Sequence, residues 1–186
     1  MSRRLRGKEF CTILNSCVRD DNADVSEAVA GLTRGLNTLC VVSSSGSSIS
    51  SLLKQFPADK VLYRGGGFDN THRGFFTAGR QFRQPSFLAT SGKQSVAQSF
   101  IERAREPTKV RWRIRIHPQK GCQHVNVVAK SHIPSENEFL FAPYSVFTVL
   151  SAEWRKGNSQ EPHVVELLAS VDNRLESEAL PLAPWS

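Results

Sequence analysis

The chain has 186 residues, 39% of them apolar and 22% charged, which fits one domain with one sizeable core and excludes wholesale disorder. A formal charge of +7 favours anionic partners such as nucleotides, nucleic acid or acidic protein faces, with a merely solubilising surface as the plain alternative. Cys11, Cys17, Cys40 and Cys122 show no Cys-x-x-Cys or Cys/His metal spacing, which argues against a zinc site and for buried, reduced thiols.

Met1 is followed by a basic stretch, Ser2-Arg3-Arg4-Leu5-Arg6, with no apolar core behind it, and no later run is long enough to span a membrane. The expectation is a protein without a membrane partner, cytoplasmic or a delivered effector lacking a classical signal peptide. Phe10, Ile13, Leu14, Cys17 and Val18 recur at helical spacing. Asp24 or Ser26 can cap a second helix, striped by Val25, Ala28, Val29, Leu32, Leu36 and Leu39. Residues 8–42 therefore read as a helical layer, and the Ser/Gly-rich residues 43–51 as a loop.

From residue 60 the pattern turns to strands, and residues 60–171 read as a sheet core followed by a tail over 172–186. Lys60-Val61-Leu62-Tyr63-Arg64 predicts a strand that stops at Gly65-Gly66-Gly67, and residues 69–85 read as a long polar loop. Phe87-Leu88-Ala89-Thr90 predicts a second strand, and a helix after Ser91 carries Val96, Ala97, Phe100 and Ile101 on one face. Residues 109–116 alternate cleanly, with Val110, Trp112, Ile114 and Ile116 on one side and Arg111, Arg113 and Arg115 on the other. Further strands are expected over 123–128, 139–150 and 163–171, with a turn at 118–121. Few of these strands are separated by helices, which predicts a mainly antiparallel α+β fold with an N-terminal helical layer.

Three pieces carry chemistry. Tyr63-Arg64-Gly65-Gly66 sets an arginine at a strand end before glycines; its planar fork suits a phosphate, and glycine lets a ligand approach the backbone. Ala89-Thr90-Ser91 runs a strand into hydroxyl residues and a helix. Glu136-Asn137-Glu138 places two carboxylates on one side of a strand that enters Phe139-Leu140-Phe141-Ala142-Pro143-Tyr144. Roughly one Glu-x-Glu is expected by chance in a chain this long. A second occurs at Glu176-Ser177-Glu178, in a polar stretch where both carboxylates read as solvated.

The ordered triple resembles the mono-ADP-ribosyltransferases of the arginine–serine–glutamate class, over about residues 8 to 171. The resemblance implies a cleft for NAD between two small, mainly antiparallel sheets, no metal, and transfer of ADP-ribose with release of nicotinamide. It implies that Arg64 holds NAD oxygens, that Gly65 offers backbone contacts to nicotinamide, and that Glu138 is the catalytic carboxylate. It assigns Glu136 to the incoming guanidinium, hence an arginine of an acceptor protein. Thr90 and Ser91 belong to the cofactor-binding set, as do Phe100 against nicotinamide and Arg103 as a second phosphate contact. Taken from its helix alone, Phe100 reads more readily as core beside Val96 and Ala97 than as a cofactor contact.

One position departs from the family. Its middle motif usually reads Ser-Thr-Ser, and the first serine hydrogen-bonds the catalytic glutamate; here Ala89 stands there. Losing that bond costs about 1–2 kcal/mol of orientation unless another group replaces it. Ser91 shares Ala89's face by alternation and can substitute, whereas Thr90 points the other way. His72, His117, His124, His132 and His163 fall in no ligand spacing. Residues 131–135 sit where the family's substrate-recognising turn lies. The remaining readings are an NAD glycohydrolase on the same fold, and a non-catalytic basic module binding nucleic acid or an acidic protein through the arginine strand. Nucleic acid as acceptor is less favoured than protein, and a monomer is expected.

Overall fold

The alternation along residues 109–116 is what a half-buried strand requires. In the computed structural model Val110, Trp112, Ile114 and Ile116 are all buried, while Arg111 and Arg113 are half-buried and Arg115 is exposed. The structure describes residues 4–5, 8–9, 16–17, 31, 53–54, 56–127 and 137–184. Residues 16–17 and 31 are helical; the rest of the helical layer expected over 8–42, and the loop over 43–51, lie outside the described residues.

Two short strands near the start, β1 (Arg4–Leu5) and β2 (Lys8–Glu9), pair antiparallel. The large sheet contains β3 (Val61–Gly67), β4 (Gln81–Gln84), β5 (Leu88–Ser91), β6 (Lys109–Arg115), β7 (Val125–Val127), β8 (Glu138–Phe141), β9 (Ser145–Glu153) and β10 (His163–Ala169). They run in the order β4-β9-β10-β6-β3-β5-β8-β7. Every pairing is antiparallel except β10 with β6. One junction is weak: β3 meets β5 through the single pair Tyr63–Ser91. The sheet is therefore two sheets, β4-β9-β10-β6-β3 and β5-β8-β7, sharing one backbone contact. Helix α1 (Gln94–Arg103) lies against β3 and buries Ala97 and Ile101. The core is aromatic, with Phe68, Phe76, Phe82, Phe139, Phe141 and Phe147 buried around Trp112.

Three expectations are corrected. Residues 65–67 do not end the strand; β3 runs through all three glycines, which pair with Arg111, Val110 and Lys109 of β6. The segment 69–85 is not a loop throughout: Asp69 caps a 3-10 turn at Asn70–Phe75, and β4 follows, paired with β9. The stretch 139–150 is two strands rather than one. Pro143 cannot donate to a ladder, and Tyr144 takes a left-handed backbone with φ of +60°. At that corner the chain leaves the three-stranded sheet and enters the five-stranded one.

Two rungs of the basic ladder are engaged within the protein. Arg111 Nη2 donates to Gln98 Oε1 of α1 at 2.6 Å, and Arg115 Nε pairs with Glu166 at 2.5 Å. Glu176 is not simply solvated either: Ser170 Oγ donates to its carboxylate. The segment beyond it crosses the free edge of β4. Arg83 N donates to Pro181 O at 2.9 Å, Ala183 N donates to Arg83 O at 2.8 Å, and the Arg83 guanidinium reaches the carbonyls of Tyr144, Glu176 and Ser177.

His124 is buried, with ring Nδ1 2.9 Å from Ser145 Oγ and Nε2 2.8 Å from Ser170 O. Burial pushes its pKa from the ordinary 6.5 down to about 4, against the pull of the Ser170 carbonyl and the charges of Asp172 and Glu176, while Arg83 helps to lower it. Between those two values the unfolded chain takes up a proton that the folded protein refuses. This contribution to stability is therefore lost as pH falls from about 6.5 to about 4, by about 3 kcal/mol in all. Urea midpoints measured across that window should show a shallower acid loss for His124→Gln than for the unaltered chain.

Candidate active site

Arg64 lies on β3, one residue past the Tyr63–Ser91 junction, where the two sheets diverge. Its Nη1 donates to Ala89 O at 2.9 Å, so its guanidinium reaches across from the five-stranded sheet to β5. Burial lowers its pKa from the ordinary arginine value, yet a guanidinium stays charged at any ordinary pH. A desolvated cation with donors to spare is suited to an anion.

Gly65 follows because nothing larger fits. A Cβ there would stand 1.9 Å from Ala97 O and 2.8 Å from Ile101 Cγ1, so α1 rests directly on the strand backbone. Gly67 is limited in the same way by Glu106, whereas Gly66 has nothing within 4 Å of its Cβ position.

Across the junction β5 pairs β8 in the register Leu88–Phe141, Ala89–Leu140, Thr90–Phe139 and Ser91–Glu138. Ser91 is thus directly opposite Glu138 on one side and Tyr63 on the other. Directly opposed side chains share a face of the sheet with Cβ atoms about 5 Å apart. Ser91 is the hydroxyl residue in register with the carboxylate; Ala89 lies two residues away from that register. Each member of the Ala89-Thr90-Ser91 run has a distinct task. The Ala89 carbonyl accepts from Arg64, and buried Thr90 donates its hydroxyl to Phe139 O at 3.0 Å. Ser91 Oγ accepts from Lys93 N at 3.0 Å and turns the chain into α1.

These elements border a cleft of about 140 Å³ that opens to solvent. Arg64, Gly65, Thr90, Ser91 and Glu138 line it together with Phe100. Phe100 is 46% exposed, so it is not core; it stands on the cleft wall with the Arg103 guanidinium 4.7 Å from its ring centroid. Arg103 itself is not part of the lining; its Nε donates to Ser99 O. Glu136 and residues 131–135 lie outside the described residues, which resume at Asn137.

Four lining residues, Tyr63, Ala89, Val96 and Ala97, receive no ligand-binding role from the sequence. Burial raises the Tyr63 pKa, with neighbouring Asp59 adding to the rise and Arg113 opposing it. Also unforeseen is the anchor beside Glu138: Asn137 takes φ of +47°, and its carbonyl accepts from Gly92 N at 2.9 Å. Asparagine tolerates that left-handed backbone better than most residues, which was the available signal. Among the described residues no group of His, Cys, Asp and Glu is arranged to hold a metal.

The family model for NAD:arginine ADP-ribosyltransferase matches residues 8–167. The chain belongs to that family. As an ADP-ribosyltransferase it uses NAD as a substrate, from which it transfers ADP-ribose. The matched span takes in Glu136-Asn137-Glu138 and leaves out Glu176-Ser177-Glu178, in keeping with the strand context of the first pair.

Solved structures share the ADP-ribosyltransferase fold. The Vis toxin of Vibrio splendidus superposes with a TM-score of 0.59 at 18% identity, over 91% of this chain and 69% of that one. A complex of Vis with agmatine gives 0.60 at 17% identity, over 91% and 70%. Exoenzyme S of Pseudomonas aeruginosa, bound to carba-NAD and human 14-3-3 protein beta, gives 0.55 at 16% identity, over 91% and 72%. No curated protein sequence matches the chain.

Proposed function

We propose that this ADP-ribosyltransferase binds NAD across the junction of its two sheets, with Arg64 on the phosphates and Glu138 against the nicotinamide ribose. The observation that carries this reading is the convergence of Arg64, Ser91 and Glu138, from three separate strands, on one cleft. As the glycosidic bond breaks, nicotinamide leaves with the bonding electron pair and the sugar becomes oxocarbenium-like. A fixed carboxylate stabilises that charge more in the transition state than in the ground state. A guanidinium nitrogen then attacks the anomeric carbon and loses a proton, for which Glu136 is the acceptor. Phe100 offers an aromatic face to nicotinamide, and Arg103, stacked on it, a second cation at the rim. Vis has been solved with agmatine and exoenzyme S with carba-NAD, which supports a guanidinium acceptor and an NAD cleft on this fold.

A protein acceptor is favoured over nucleic acid because Arg111 and Arg115 already have partners within the domain. The protein acts as a monomer on this reading. The test uses labelled NAD with agmatine as acceptor. Unaltered protein should form ADP-ribosyl-agmatine, and Glu136→Gln should lose transfer by about 10²-fold while still hydrolysing NAD. Folded protein that neither transfers nor consumes NAD overturns the proposal, and a Glu136→Gln variant with full transfer overturns the role of that glutamate.

A further inference from the structure

The two halves of the cleft belong to different sheets. Arg64 rides on the five-stranded sheet and Glu138 on the three-stranded one, and the sheets share a single backbone pair, Tyr63–Ser91. A one-pair junction leaves the angle between the sheets to be set elsewhere. Beside the Arg64 Nη1–Ala89 O bond at the junction itself, a further tie lies at the other end of β8, where His124 stands just before β7.

The His124 carbonyl accepts from Ala142 N at 2.9 Å, which joins it to the three-stranded sheet as β8 ends. Its ring crosses to the other sheet: Nδ1 lies 2.9 Å from Ser145 Oγ at the start of β9, and Nε2 lies 2.8 Å from Ser170 O just past β10. A carbonyl can only accept, so Nε2 carries a proton towards Ser170 O, and Ser145 Oγ, 2.9 Å from Nδ1, donates its own proton to Ala142 O at 2.6 Å. Gln123 N donates to Val171 O at 2.9 Å beside it. The ring is 8% exposed, packs 5.9 Å from the Phe141 ring centroid and does not line the cleft. Directional bonds at a buried ring define an inter-sheet angle more tightly than apolar contact of equal area.

We propose that His124 is a positioning residue: its ring clasps the two sheets at the Ala142 end of β8 and thereby sets how far Glu138 stands from Arg64. Four residues of strand, about 13 Å, separate the clasp from the carboxylate. A small change of angle at the clasp therefore shifts β8, and Glu138 with it, against the β3 backbone that carries Arg64. The inference rests on the NAD-binding roles given above to Arg64 and Glu138.

The test is steady-state kinetics of His124→Phe, which keeps ring volume and removes both bonds, beside His124→Asn, which retains an acceptor and donor near Nδ1. At a temperature where each variant is fully folded, His124→Phe should lower kcat about 10- to 100-fold with KM for NAD nearly unchanged. His124→Asn should recover part of that loss. A purely structural role would lower Tm and leave kcat per folded molecule intact, and that outcome overturns the proposal. If His124→Phe fails to fold, Ser145→Ala removes one of the two bonds; a folded Ser145→Ala with unchanged kcat overturns it equally. Glu138→Gln is assayed in parallel. An active Glu138→Gln refutes the site reading itself, whereas an inactive Glu138→Gln with fully active His124→Phe refutes the clasp alone.

Discussion

Glu138→Gln should lower both ADP-ribose transfer and NAD hydrolysis by about 10²–10³-fold or more, with Tm close to that of the unaltered protein. The substitution preserves shape. Glutamine retains the strand backbone that pairs Glu138 with Ser91, and the buried neighbours Phe139 and Phe141 are untouched. What it removes is the negative charge, which matters most when the sugar is most positive. The loss should therefore fall on kcat, with KM for NAD changing little, as expected of an interaction made chiefly in the transition state. Product analysis by mass spectrometry checks both reactions at once. A variant that hydrolyses NAD at the normal rate would move the catalytic role away from Glu138.

The second large effect is on stability. Gly65→Ala places a methyl group 1.9 Å from the Ala97 carbonyl oxygen and 2.8 Å from its carbonyl carbon, both backbone atoms of α1. Backbone cannot rotate aside as a side chain can, so the whole helix must lift from β3. Overpacking of this kind costs about 3 kcal/mol, or roughly 6–12 °C in Tm for a domain of this size. Ala97 and Phe100 ride on the same helix, so the cleft wall moves with it and NAD turnover should fall in parallel. Gly66→Ala is the internal control. Nothing stands within 4 Å of its Cβ position and its φ is not positive, so the same change one residue on should shift Tm little, or raise it slightly. Equal Tm losses from the two substitutions would contradict the packing argument.

The contrast between Gly65 and Gly66 also shows what the sequence could not reveal. Three successive glycines look like a turn because backbone freedom is their usual reason; here two of them answer to a helix and a side chain pressed against the strand, which are tertiary facts. Residues 139–150 misled in the opposite direction. Their apolar run is continuous because both strands are buried, so hydropathy alone could not mark the corner, although Pro143 was a signal in plain view. β4 was hidden because Phe82 is its one apolar residue and the other buried position is the polar Gln84. Where a signal is local it was readable. The alternation over 109–116 gave β6, and the hydroxyl-rich end of β5 gave the start of α1. The carboxylate entering an apolar strand was readable for the same reason. The register that sets Ser91 against Glu138 depends on which strands pair, and no single segment carries that information.

The segment laid along β4 bears on how the protein behaves in a crowded solution. A long sheet exposes a row of unpaired amide and carbonyl groups at each end, and such an end can template another chain. One end of this sheet is covered where Arg83 exchanges backbone bonds with Pro181 and Ala183, and the guanidinium fastens the same segment through the carbonyls of Glu176 and Ser177. The other end is β7, three residues long. A basic, aromatic-rich sheet protein thereby keeps its hydrogen-bonding edges to itself, and strand-to-strand polymerisation has no broad starting surface among the described residues.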